Sequence, residues 1–170
     1  MQNTMKATLV VNGKEFPIEI HDPKLIEEIT FKNKTGYERQ PDGRYWHSTT
    51  RDRVVVECDN CCEFDNDCYE HANYYSDETV AQNNVRADAL MRKLRRFAVE
   101  HRKMKIDWEN VSAKYCIYYN NNANMISVAW YNAHHHFGMI CFDSIKTAEL
   151  AVEEFKDELI WYFTEYKDSL

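Results

Sequence analysis

From Thr8 to Ile20 apolar and polar residues alternate around Asn12-Gly13, a dipeptide that tolerates the positive φ angles of a tight turn, so a β-hairpin is expected. Pro17 has no N–H to give to a sheet and marks the second strand as an edge. A short helix should follow. Asp22 is placed as N-cap and Pro23 at the first helical position, with Leu25, Ile26 and Ile29 on one face. Lys32 to Arg44 is polar and ends in the turn signal Pro41-Asp42-Gly43, which reads as a linker.

Two later stretches share one pattern. A strand beginning Arg44-Tyr45-Trp46, a polar turn at Thr49 to Arg53 and a returning Val54-Val55-Val56 lead through Asn73-Tyr74-Tyr75 to Ser76, read as the cap of a long helix. Likewise Lys114 to Tyr119, a turn at Asn120 to Asn124 and Ile126 to Trp130 lead through Met139-Ile140-Cys141-Phe142 to Asp143-Ser144 and a second long helix. Tyr75 aligns with Phe142, Ala81 with Ala148 and Val85 with Val152, which predicts a tandem repeat. Both helices are amphipathic. Ala87, Leu90, Met91, Leu94, Phe97 and Ala98 make the stripe of the first, and Ala148, Val152, Phe155, Leu159, Tyr162, Phe163 and Tyr166 that of the second. Both must pack on the hairpins. The expected fold is α+β: an N-terminal hairpin and short helix at 1–31, a linker at 32–44, and two ββ(β)α units at 45–105 and 114–170.

At 170 residues the chain suits one or two closely packed units, and its 44% apolar content rules against disorder. The absence of a long apolar run or a secretory-type leader points to a cytoplasmic protein. The net charge of −7 hides a segregation that matters more. Glu57 to Glu78 holds eight acids and no Lys or Arg, whereas Arg86 to Lys105 carries eight bases against Asp88 and Glu100.

Candidate chemistry follows from that segregation. Asp65, Asp67 and Glu70 offer acids to a cationic partner groove, and the same three are the carboxylates a metal-dependent nuclease would use. Simple solvation of an acidic loop is the competing reading. Arg92, Arg95, Arg96 and Lys103 offer forks and point charges to nucleic-acid phosphates or to an acidic surface, against the plainer reading of a solvated helix paired with the chain's own acids. Cys58, Cys61, Cys68 and His71 have the paired short spacings of a zinc knuckle, with Cys62 spare, although six residues between the pairs is short for such a module. Free thiols in a reducing compartment, with no cofactor, are the alternative. His134-His135-His136 reads as solvated loop. No G-x-S-x-G, P-loop, H-E-x-x-H or dinucleotide fingerprint occurs, so no catalytic residue is assigned.

Met5 to Phe16, Thr35-Gly36-Tyr37-Glu38-Arg39, Ala72-Asn73-Tyr74-Tyr75-Ser76, Leu94-Arg95-Arg96-Phe97-Ala98, Phe142-Asp143-Ser144 and Ala151-Val152-Glu153-Glu154-Phe155 together resemble small proteins of phages and mobile elements of Gram-positive gut bacteria. Some of these look like anti-CRISPR inhibitors of type II RNA-guided nucleases. The resemblance implies an inhibitor that binds the nuclease or its nucleic-acid complex without turnover. It transfers no residue set, and the cysteine-rich insert and the triple His depart from the group's pattern. A small nucleic-acid-binding regulator using Arg86 to Lys105 is the alternative, with a metal-dependent nuclease third.

Overall fold

The computed structural model describes residues 4–11, 14–26, 35–107, 109, 113–131 and 138–166. The fold is α+β, with three antiparallel two-stranded sheets and their helices. β1 (Met5–Val11) and β2 (Lys14–Ile20) form the expected hairpin, with Pro17 opposite Thr8. Residues 23–26 are helical, and Asp22 caps them by accepting the Lys24 amide at 2.9 Å. Ile29 lies outside the described residues, as does the Asn12-Gly13 turn.

The repeat is present in backbone detail. β3 (Arg44–Ser48) pairs with β4 (Val54–Cys58), and β5 (Lys114–Asn120) pairs with β6 (Met125–Tyr131). In each unit the chain then returns to the first strand through one isolated antiparallel bridge, Trp46 to Tyr75 and Tyr115 to Phe142, before entering a helix. Ala81 and Ala148, one turn into those helices, are both fully buried because each helix lies close against its own strands. α2 (Glu78–His101) is capped by Asp77, one residue beyond the expected Ser76, since the Asp77 carboxylate accepts the Val80 amide. Ser144 caps the second helix by accepting from Thr147.

Two expectations need correction. The second long helix is broken at Phe155 into α3 (Ile145–Glu154) and α4 (Lys156–Thr164), which lets both pieces wrap the core. The segment read as a linker is part of the first unit over its described length. Arg39 pairs with Asp59, the Gln40 amide donates to the Tyr74 hydroxyl, and the Ser76 amide donates to the Gly36 carbonyl. Gly36 has φ +83°, and a Cβ there would lie 2.7 Å from a Val80 methyl, so this close approach requires glycine.

α2 serves both units. Its N-terminal half, through Gln82, Val85 and Ala89, lines an open cleft with Val54 of the first unit, whereas Leu90, Leu94 and Ala98 enter the main core with Phe142, Ala148, Ala151 and Leu159. Val85 and Leu94 are nine residues apart in sequence, about 180° around a helix, so opposite sides of one rod meet the two units. Among the described residues no helix is long and apolar enough to cross a membrane.

Candidate functional site

Between β4 and α2 the chain forms a helix where only a loop was expected, α1 (Glu63–Glu70). Its start is made by acids. Asp65 accepts the backbone amides of Cys62 at 3.1 Å and Asn60 at 2.9 Å, and the Tyr45 hydroxyl donates to it at 2.8 Å. The Cys62 contact and these donors hold the Asp65 carboxyl below the usual carboxylate range. Asp65 is 2% exposed, so its expected role as a surface acid is corrected: it fastens the helix from inside.

A second buried carboxylate completes the base of this helix. Asp59 takes a two-pronged ion pair from Arg39 at 2.9 and 3.2 Å, the Tyr74 hydroxyl at 3.0 Å and the Cys61 amide at 2.9 Å. These contacts, Arg39 foremost, hold its carboxyl down at about 2. Tyr45 stacks on Tyr74 with centroids 4.1 Å apart, Tyr69 meets Tyr74 edge-on, and Cys68 fills the remaining space. Burial pushes the Cys68 thiol up. α1 is therefore set in a small core whose polar groups are all partnered.

What α1 turns outward is acidic. Glu63, Asp67 and Glu70 are exposed, and their i, i+4, i+7 spacing puts them within about 60° of one another around the axis. Asp65 and Cys68 occupy the other side, so Asp65 cannot join Asp67 and Glu70 around one metal ion, as a nuclease centre built on those three would need. Phe64 and Tyr69, both about half exposed, flank the acidic face. Acids and flanking aromatics at a protein surface suit recognition of a cationic partner.

The basic residues are dispersed by comparison. Arg92 pairs with Asp52 of the β3–β4 turn, Arg96 lies 3.9 Å from Glu100, and Arg86 forks onto Glu158 while stacking over Trp161 at 3.9 Å. Arg95 is exposed with no ion pair among the described residues. α2 ends at His101, so Lys103 lies off the helix, where its backbone amide donates to Asp143. Arg92, Arg95 and Arg96 share a solvent side, but two of the three, Arg92 and Arg96, already have carboxylate neighbours.

Cys58 and Cys61 are exposed, Cys68 is buried, and the His71 ring faces the Asp67 carbonyl at 2.8 Å. Among the described residues no three His, Cys, Asp or Glu side chains converge on a point a metal ion could occupy. His134 to His136 lie outside the described residues. Glu63 escaped notice in the sequence although its spacing to Asp67 and Glu70 marks one helical face. Arg39 and Asp59 carried no local signal at all, being 20 residues apart. No family model matches the chain, and neither a curated protein nor a solved structure is significantly similar to it.

Proposed function

We propose that this chain is a counter-defence binding protein of a mobile element, acting without turnover, and that its acidic α1 face enters a cationic, nucleic-acid-binding groove on a type II RNA-guided nuclease. The single observation carrying the reading is the set of Glu63, Asp67 and Glu70 on one exposed face of a helix whose buried side is pinned by Asp65, Tyr45 and Tyr74. A helix held this way loses little conformational freedom when it docks, so its charges act at fixed spacing. Glu63 and Asp67 are about 6 Å apart along the axis, and Asp67 and Glu70 about 4.5 Å. The segment from Glu57 to Glu78 contains no Lys or Arg, and Arg39, which lies over the Tyr69 ring, is paired with Asp59. A groove that holds a guide heteroduplex or reads a short DNA motif with arginines is a surface such a face complements. The choice of nuclease rests on the resemblance of the sequence to inhibitors of that kind.

The reading is tested with purified guide-loaded nuclease and a target plasmid. Cutting should fall as the protein approaches one equivalent, the protein should co-elute with the nuclease, and both effects should weaken with added salt. Normal cutting with no co-elution overturns it. Direct, salt-sensitive binding of DNA by the chain alone would instead favour action through Arg92, Arg95, Arg96 and Lys103.

A further inference from the structure

Tyr115 and Phe142 exchange backbone hydrogen bonds at 3.0 and 2.8 Å. The next pair along, Cys116 and Cys141, therefore sits at a non-hydrogen-bonded position of the antiparallel bridge, where Cβ atoms approach most closely. Their sulfurs are 3.1 Å apart and both residues are buried. Cys116 also lines a cavity of about 270 Å³ with Tyr118, Tyr131, Met139 and Ile140, which gives a small molecule a route to the pair. In the first unit the equivalent positions are His47 and Tyr74, so the thiol pair is not a requirement of the scaffold.

We propose that Cys116 and Cys141 form a reversible disulfide, a redox modification site that ties β5 to the entry of α3, with a small-molecule disulfide as oxidant. The Cys116 thiol, which lines the cavity, loses its proton and attacks one sulfur of the oxidant, giving a mixed disulfide and one released thiolate. Cys141 then loses its proton, attacks the Cys116 sulfur and expels the second thiolate. The protein pair is oxidised by two electrons, the oxidant is reduced to two thiols, and the two thiol protons end on them. Cys116 is suited to attack first, because it is the one of the pair that lines the cavity. The closed loop, with its ends 25 positions apart, is long enough for the link to restrict the unfolded chain appreciably.

The experiment uses the full chain with Cys58, Cys61 and Cys62 changed to Ser, so that exposed thiols do not compete. It is incubated with oxidised glutathione, alkylated in denaturant and mapped by mass spectrometry. A peptide pair joined through Cys116 and Cys141 is expected, with a melting temperature raised by roughly 5–10 °C and restored by dithiothreitol. Cys116→Ala and Cys141→Ala should each lose both the linked peptide and the shift. The same mapping on the unmutated chain removes any dependence on how the variants fold. Both cysteines recovered fully alkylated, or glutathione retained on either cysteine with no cross-link, overturns the proposal.

Discussion

The two repeated units share a backbone plan and fill it with opposite chemistry. Around the bridge from Trp46 to Tyr75, the first unit packs Tyr45, Tyr74, Asp59, Asp65 and Arg39 into a core of rings and carboxylates. Around the bridge from Tyr115 to Phe142, the second packs Ile117, Ile126, Val128, Leu159 and two α2 leucines into an apolar one. The helix caps and the buried alanines are held in common. The plan is therefore set by the strand return and the close helix approach, and the filling is free to serve other ends. In the first unit that end is a short helix fixed with its acids outward. In the second it is bulk stability, with a thiol pair beside a cavity.

The comparison breaks most visibly in the apolar core. Phe142→Ala should cost about 3–5 kcal/mol by chemical denaturation, since Phe142 is 1% exposed and sits where sheet and helices meet. Asp59→Ala should cost about 3 kcal/mol or more, because it leaves the Arg39 guanidinium and the Tyr74 hydroxyl facing a lost partner. A double-mutant cycle of Asp59 with Arg39 should show strong coupling, whereas Phe142 and Arg39 should add independently.

Acid separates the units without mutation. Asp59 is held at about 2 against an ordinary 3.8, and Glu38 at about 2 against 4.5, Glu38 chiefly through the Ser76 hydroxyl and the Thr35 amide. Depressed carboxyls contribute stability that is complete above their unfolded values and is lost as pH falls through the folded ones. Glu38, Asp59 and Asp65 in the first unit are depressed against Asp143 in the second, so between about pH 4.5 and pH 2 the first unit should loosen before the second, seen as earlier exchange of amides in β3, β4 and α1 than in β5 and β6. Simultaneous loss in both units would contradict the division.

These expectations also show how far the sequence was legible. The hairpins, the Asp22 and Ser144 caps and the alignment of Ala81 with Ala148 are local or periodic, and periodicity is written in the chain. The first helix's cap was misplaced by one residue because Ser76 and Asp77 are both good caps, and Ser76 is taken up by Glu38. Asp65 read as a surface acid, and Asp59 drew no reading of its own, because nothing within a few residues announces Tyr45 or Arg39 as partners. α1 was missed because cysteines and acids masked eight helical residues. Its one readable signature was the i, i+4, i+7 acidic spacing.

A smaller effect tests the rod between the units. Arg86→Ala should cost about 1 kcal/mol, through the lost stacking on Trp161 and the partly exposed pair with Glu158.

The central claim is most directly tested by measuring the affinity of two charge-reversed variants for a guide-loaded type II nuclease. One carries Lys at Glu63, Asp67 and Glu70 of α1, and the other carries Lys at Glu149, Glu153 and Glu154 of α3, all exposed, so the two change the net charge equally. Reversal on α1 should weaken binding by at least about 100-fold, or about 2.7 kcal/mol, while reversal on α3 changes it by less than about 5-fold. Equal losses in the two variants, or full binding by the α1 variant, would contradict the account.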